Sequence, residues 1–271
     1  MRKLLNSLVA LLLAPAIIAH AQTYRSQPQY EETSTFFAQN IRPINLIDIP
    51  TANFLSRKAF QLHLRVYHLG GMIGGLTVCL TNRLMFGITY GGQNIIGQGR
   101  VLWNGAPGVN LRYRIRIENY QLPSISIGFD SQGYGTYYPS LDRYQIKSKG
   151  FYVVVSKNFL ILSDFGIHGG INYSNENRGD EKDINFFCGA HLVLDPELTV
   201  LWEYDFGIND NDDKSLGSGK GYMNAAVRWH FSNQMVFEFA VKNLLKNNRE
   251  FNGEKIPNLN RELKIIYFQN L

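Results

Sequence analysis

Between Leu111 and Tyr120 the chain reads LRYRIRIENY, and charged and apolar side chains take turns along it. Side chains alternate across a strand, so residues two apart share a face. A helix would scatter the same residues around its circumference, so the period of two makes this stretch a strand. One face then carries Arg112, Arg114, Arg116 and Glu118. The other carries Leu111, Tyr113, Ile115 and Ile117. Two folds can hold such a strand. A soluble sandwich would put the arginines in water and the apolar face in a core. A membrane barrel would put the apolar face in lipid and the arginines toward a wet lumen.

The same alternation recurs along the chain. Gln61, His63, Arg65 and Tyr67 oppose Leu62, Leu64 and Val66. Glu203 and Asp205 oppose Val200, Trp202, Tyr204 and Phe206, and Asn224, Arg228 and His230 oppose Met223, Val227, Trp229 and Phe231. Glu238 and Lys242 oppose Met235, Phe237, Phe239 and Val241, and near the end Glu262 and Lys264 oppose Leu263, Ile265 and Tyr267. Strands are expected near 59–69, 72–80, 84–92, 109–118, 123–130, 149–156, 164–173, 184–193, 198–207, 221–231, 234–242 and 261–269. Short turns such as Thr81-Asn82-Arg83 and Asp195-Pro196-Glu197 alternate with long Gly-, Asn- and Asp-rich loops near 93–108, 131–148, 174–183, 208–220 and 243–260. Unequal loops and aromatics at strand ends suit a membrane barrel rather than a sandwich. The expected fold is all-β, a transmembrane antiparallel β-barrel of about 12 strands, preceded by a cleaved signal peptide.

The signal is read from MRKLLNSLVALLLAPAIIAHAQ, where Arg2 and Lys3 precede an apolar run from Leu8 to Ile18 and Ala19-His20-Ala21 is a small-x-small cleavage site. The expected organisation is 1–21 signal peptide, 22–58 lead-in with the potential to fill the lumen as a plug, and 59–271 transmembrane barrel. Loss of Arg2 and Lys3 leaves 25 basic against 22 acidic residues. That balance is too small to argue for nucleic acid, and none is expected as a partner. Cys79 and Cys188 stand far apart, each in an apolar run. They could pair in an oxidising compartment, but single buried thiols are expected. No Cys/His spacing matches a metal site, so neither metal nor cofactor is expected.

Several motifs invite chemistry. A phospholipase-type barrel needs His and Ser close on one strand face, and His168 stands too far before Ser174-Asn175. Glu203, Asp205, Arg228 and His230 share the inward face of consecutive strands and could form a rim site. Together with Glu118 and Glu238 they are expected instead to be a salt-bridged lumen network, since inward charges of opposite sign neutralise one another. Asp210, Asp212 and Asp213 resemble calcium ligands without the Gly and Glu such a loop requires. The basic stripe Arg65, Arg112, Arg114 and Arg116 has two readings. It can pair with acidic residues of the lumen or the lead-in, such as Glu32 and Asp48, or it can be a track for an anionic solute. No catalytic residue is assigned.

INLIDIPTA at 44–52 and PGVNLRYRIRIENYQLPSISIGFDSQGYGTYY at 107–138 carry a further signal, with Glu118, Pro123, the Gly128-Phe129-Asp130 step and Gly133-x-Gly135. Ser156-Lys157, the strand from Asp164 to Gly170, and Leu201-Trp202-Glu203-Tyr204 extend it. These segments resemble the YjbH-type outer-membrane barrel family, which is associated with exopolysaccharide production. The end YFQNL departs from the terminal aromatic common in such barrels, Phe268 falling three residues early. The resemblance implies a non-enzymatic barrel of the bacterial outer membrane that supports surface-glycan production or export. Its expected surroundings are outer-membrane lipid, and its expected partners an anionic polysaccharide or export machinery. A passive porin for small anions is the alternative, and a lipid- or glycan-modifying enzyme a third.

Overall fold

A computed structural model describes residues 42–160, 163–177, 182–212, 215–251 and 254–270. The leader 1–21 and the lead-in through residue 41, Glu32 included, lie outside the described residues.

Twelve antiparallel strands close on themselves. In chain order they are β1 (Ala59–Tyr67), β2 (Gly71–Thr81), β3 (Leu84–Gln93), β4 (Gly108–Arg116), β5 (Ser124–Asp130) and β6 (Gly150–Leu160). After them come β7 (Asp164–Tyr173), β8 (Asn185–Asp195), β9 (Leu198–Asp205), β10 (Tyr222–His230), β11 (Met235–Lys242) and β12 (Asn260–Asn270). Each pairs with its sequence neighbours, and β1 closes on β12 with Ala59 opposite Asn270 and Val66 opposite Leu263. These are the strands that the alternation predicts. What the alternation misses lies in the loops: a small hairpin, Tyr134–Tyr138 with Arg143–Ile146, folds inside the long loop after β5.

The outward residues are apolar and exposed, among them Leu62 and Leu64 of β1, Phe86 and Ile88 of β3, and Val153 and Val155 of β6. Aromatic pairs ring both ends. Trp229, Phe231 and Phe237 cluster at the short-turn end. Phe129 with Phe151, and Tyr204 with Phe206, mark the long-loop end. A closed ring of strands leaves no backbone edge to solvate, and an apolar band between aromatic girdles matches the hydrocarbon slab. The chain is a transmembrane β-barrel, with both ends of the strand ring at the short-turn side.

Three pairings carry a register shift, two of them beside the tight turns after Cys79 and Val193, and the third moves an arginine. The β4–β5 register slips between Arg114, opposite Ser126, and Arg116, opposite Ile125. Ile115 is therefore an extra residue, and a bulge of this kind moves the residues beyond it to the other face. Arg112 and Arg114 stay inward, whereas Arg116 shares the outward side of Ile125 and is exposed. The expectation that Arg116 lines the lumen is thus corrected.

Candidate functional site

The lumen is occupied by the chain's own residues 42–58, of which Pro43 to Leu55 are largely buried. An eight-strand barrel can be filled by its own side chains and a sixteen-strand one holds an aqueous channel. Twelve strands leave a space that needs a filler or stays wet. Here Ile44–Thr51 forms a miniature hairpin: Leu46 N–H donates to Ile49 O at 3.0 Å and Thr51 N–H to Ile44 O at 3.0 Å. Pro43 and Pro50 stop it from becoming a longer strand. Thr51 Oγ1 donates to Pro43 O at 2.7 Å and ties off its base.

The hairpin buries Leu46, Ile47, Ile49 and Ala52 against inward-facing Tyr152, Val154, Phe187, Leu201, Ala226 and Ala240. The inner wall of β6 and β8–β11 thus carries an apolar pad within a polar lumen. Each large aliphatic side chain buried this way contributes about 1.5–3 kcal/mol. Gly189 makes the approach feasible, because a Cβ there would stand 2.5 Å from Leu46 Cδ1.

Polar contacts then fix the hairpin. Glu203, wholly buried, accepts from three successive backbone amides: Ile47 N–H at 2.9 Å, Asp48 N–H at 2.9 Å and Ile49 N–H at 3.1 Å. Asn224 Nδ2 donates to the same carboxylate at 2.7 Å. The hairpin's carbonyls are taken by wall cations. Arg112 donates to Ile44 O at 2.6 Å, Thr51 O at 2.9 Å and the Asn45 side chain at 2.6 Å, and its Nε donates to the Tyr152 hydroxyl at 2.9 Å. Arg228 donates to Leu46 O at 2.7 Å and Arg65 to Ile47 O at 2.8 Å. A guanidinium suits this work because its planar fork offers five donors and its charge does not titrate away.

Asp48, at the hairpin tip, is the reciprocal element. Its carboxylate lies 2.6 Å from Arg65 Nη1 and 2.6 Å from Lys242 Nζ. Glu262 is 3.0 Å from each of the same two cations. Burial alone would raise the Asp48 carboxyl, but Lys242 and Arg65 outweigh it and hold the group below its ordinary value. A lowered folded pKa means that the stabilisation is complete above the unfolded value near 4 and is lost as pH falls through the folded value. The contribution of Asp48 to hairpin seating is therefore expected to be flat from pH 8 to 5 and to weaken only below about pH 4. The difference in protease sensitivity of residues 42–58 between wild type and Asp48→Asn, followed against pH, checks this; a difference already lost at pH 6 would contradict it.

A row of cross-strand pairs supports the seat. Arg228, Glu238 and Lys264 face one another across β10, β11 and β12, with Arg228 and Lys264 each 2.6 Å from Glu238. Asp205 pairs with Lys149 of the loop after β5 and accepts from Asn185 Nδ2 at 2.7 Å. Glu118 lies at the short-turn rim, 3.6 Å from Arg42 and from Lys157, and accepts from Asn158 N–H at 2.7 Å. The single salt-bridged network expected from Glu118, Glu203, Asp205, Arg228, His230 and Glu238 is thus four separate arrangements. His230 belongs to none of them; among the described residues its Nε2 meets the Thr199 hydroxyl, at 3.5 Å.

The basic stripe divides similarly. Arg65 and Arg112 hold the hairpin, Arg114 stacks over the Phe54 ring at 4.0 Å, and Arg116 faces outward at the rim. Arg112→Gln is expected to loosen the hairpin by about 3–5 kcal/mol. Arg116→Gln should change stability by less than about 0.5 kcal/mol. Chemical unfolding of the two variants, with proteolysis of the 42–58 segment as a local readout, checks the contrast.

A buried relay escapes a search along one strand. The Ser156 hydroxyl accepts from Ala52 N–H at 2.7 Å and lies 2.7 Å from His168 Nδ1, while His168 Nε2 lies 2.9 Å from His191 Nδ1. Ser156 stands directly opposite His168 in the β6–β7 register, so inward parity and the 161–163 turn length could have brought them together. Ser156 is fully buried and its oxygen is engaged by the hairpin. The relay positions Ala52, and all three of its side chains are buried. Asp210 is likewise committed, to Arg143 at 2.7 Å and the Tyr222 hydroxyl at 2.7 Å, and so does not serve as a calcium ligand here. Asp213 lies outside the described residues. Cys79 and Cys188 are free thiols, the first buried and the second half-buried.

Loops close the long-loop end. The Tyr134 hydroxyl donates to Asp48 O at 3.3 Å, and the Tyr134 ring lies over Arg65 and near Lys242. Glu176 accepts from Tyr144 N–H at 2.9 Å and Ser148 N–H at 2.5 Å, which fixes the inserted hairpin from the next loop.

No protein-family model matches the chain, and no curated protein matches it either. Among solved structures it is similar to the KdgM porin, at 10% identity and TM-score 0.45 over 77% of this chain and 98% of that one. It is similar to the NanC porin at 12% identity and TM-score 0.46, covering 78% and 99%. It is similar to the Acinetobacter baumannii outer membrane protein Omp33 at 6% identity and TM-score 0.43, covering 79% and 97%. These likenesses are distant, and the closed strand pairing carries the fold by itself.

Proposed function

We propose that this chain is a gated, non-enzymatic outer-membrane channel, closed at rest by its own residues 42–58 and serving the export of a surface glycan. One observation carries the gating: the hairpin donates amides to Glu203 and accepts from Arg65, Arg112 and Arg228 through its carbonyls. Contacts of this kind are reversible, because the hairpin's backbone groups and the wall charges can each exchange the other for water once the lumen is wet. The glycan part of the reading is supported by the YjbH-type resemblance of INLIDIPTA and the β4–β5 region, and INLIDIPTA is the hairpin itself. A passive anion porin fits less well, because Arg65 and Arg112 already satisfy the hairpin and Arg116 is outside the lumen. Planar-bilayer recording of the full chain tests the reading. Silence at low voltage, with openings when the hairpin is unseated, is expected. Steady conductance in the unmodified full chain would overturn it.

A further inference from the structure

The bulge at Ile115 does more than interrupt an alternation. It turns Arg116 onto the outer wall, level with Ile125, whose partner on β6 is Val155. One row deeper stand Tyr113 and Ile127, opposite each other and exposed, with Val153 beside them. Arg116 thus ends an apolar stripe that faces lipid. An outward guanidinium is tolerated there because it stands at the hydrocarbon boundary, where its stem lies along the wall and its head reaches the headgroup layer. Bulges at barrel rims serve to re-aim a side chain in this way.

A second arginine is held beside it. Arg83 occupies the tight turn between β2 and β3 and is exposed. Its backbone carbonyl accepts from Arg114 N–H at 2.8 Å, and its Nη1 donates to Ile115 O, the carbonyl of the bulge, at 3.4 Å. The Arg83 guanidinium therefore lies against the residue next to Arg116. Nothing anionic offsets the two. Glu118, the next acid along the chain, is turned toward Asn158 and Arg42. Lys157, the adjoining cation, commits its donors to Asn119 O at 2.6 Å and Tyr120 O at 2.9 Å. Among the described residues neither Arg83 nor Arg116 forms an ion pair. Two like charges held this close, with free donors on each, make a receptor for an anion.

We infer that Arg83 and Arg116 clasp the headgroup phosphate of an anionic phospholipid in the leaflet at the short-turn end. The site fits a lipid rather than a free phosphate because its donors stand at the end of an apolar stripe. Acyl chains lie along Tyr113, Ile127 and Val153 while the phosphate meets the guanidinium forks. A zwitterionic headgroup brings its own ammonium, which competes with the arginines for the phosphate charge, so a net-negative lipid is preferred. The site is independent of the gate. It lies on the opposite face of β4 from Arg112 and Arg114, which hold the hairpin and Phe54 inside the lumen.

Native mass spectrometry of the full chain, released from zwitterionic micelles doped with lipid, tests the site. Phosphatidylglycerol is the probe, with phosphatidylcholine and inorganic phosphate as comparators. The wild type is expected to retain one phosphatidylglycerol at concentrations that leave no phosphatidylcholine bound, and excess inorganic phosphate should not displace it. Arg83→Gln and Arg116→Gln should each weaken retention about fivefold, and the double variant by roughly tenfold or more. Arg261→Gln removes an exposed outward arginine at the long-loop end and should retain the lipid as the wild type does. Heat-modifiable migration verifies that each variant is a barrel, and the comparison of the two lipids on the wild type needs no variant to assemble. Equal retention of both lipids, displacement by inorganic phosphate, retention unchanged in the double variant, or an equal loss in Arg261→Gln would each overturn the site. Bilayer recording reads gate closure separately, so loss of the gating reading and loss of the lipid site are distinct results.

Discussion

Deletion of residues 42–57 will turn a silent barrel into a conducting one. The strand ring does not depend on these residues: β1 begins at Ala59 and closes on β12 through its own backbone. What the deletion removes is Leu46, Ile47, Ile49 and Ala52 from the apolar pad and the backbone partners of Arg65, Arg112, Arg228 and Glu203. Exposed to a hollow of twelve-strand width, those charges recruit water rather than collapse, because leaving them unpaired and dry costs several kcal/mol each. The pore should then pass small ions at low voltage, with heat-modifiable migration confirming that the barrel has formed. If the assembled deletion variant stays silent, the inserted loop around Tyr134 suffices to seal the lumen, and the 42–58 segment is filler rather than gate.

Glu203→Ala should come close to the deletion with one side chain. Glu203 serves three consecutive amides of the hairpin tip and Asn224 at once. Bonds to an ionised acceptor contribute about 1.5–3 kcal/mol each, and stranded donors add their own desolvation cost. A loss of roughly 3–5 kcal/mol of seating is expected, which shifts the closed-to-open ratio by about 10²–10⁴-fold. Frequent openings should appear in bilayer recordings while strand content stays that of the wild type. Glu203→Gln should lie between, since it keeps one acceptor oxygen and turns an N–H toward amides that already donate. A Glu203→Ala barrel as quiet as the wild type would show that the apolar pad alone holds the hairpin.

The strand ring is legible in the sequence because alternation and loop asymmetry are properties of neighbours along the chain. Arg116 is misplaced by the same alternation because a single extra residue, Ile115, reverses the face of the one strand residue that follows it, and a bulge leaves no mark in a run as regular as RYRIRI. Glu203 looks, in sequence, like a lumen charge seeking a cation. Its real partners are backbone amides near residue 48, and no side-chain pattern advertises a backbone donor. Ser156, His168 and His191 are within reach, since inward parity and one turn length align the first two, but a search confined to one strand passes over them. The inner pad is harder to see. Val154, Phe187 and Leu201 obey the alternation and are still apolar, which makes sense only once something apolar is placed against them.

The hairpin's partners also have a consequence for the order of assembly. They are spread over the whole chain: Arg65 lies 18 residues from Ile47, Glu203 lies 156 and Lys264 lies 217. The first of the described segments to be synthesised is thus among the last able to find its place. Contacts of such long sequence separation form late, after the loop-closure entropy of the intervening chain has been overcome. Lys264 sits on the strand that completes the ring, so the full seat exists only once the seam between β1 and β12 has zipped. A barrel that conducts during its own insertion would leak, and one whose stopper docks last stays open until then. Completion of the cylinder and closure of the pore are therefore a single kinetic event, and protection of residues 44–51 from hydrogen exchange should report both.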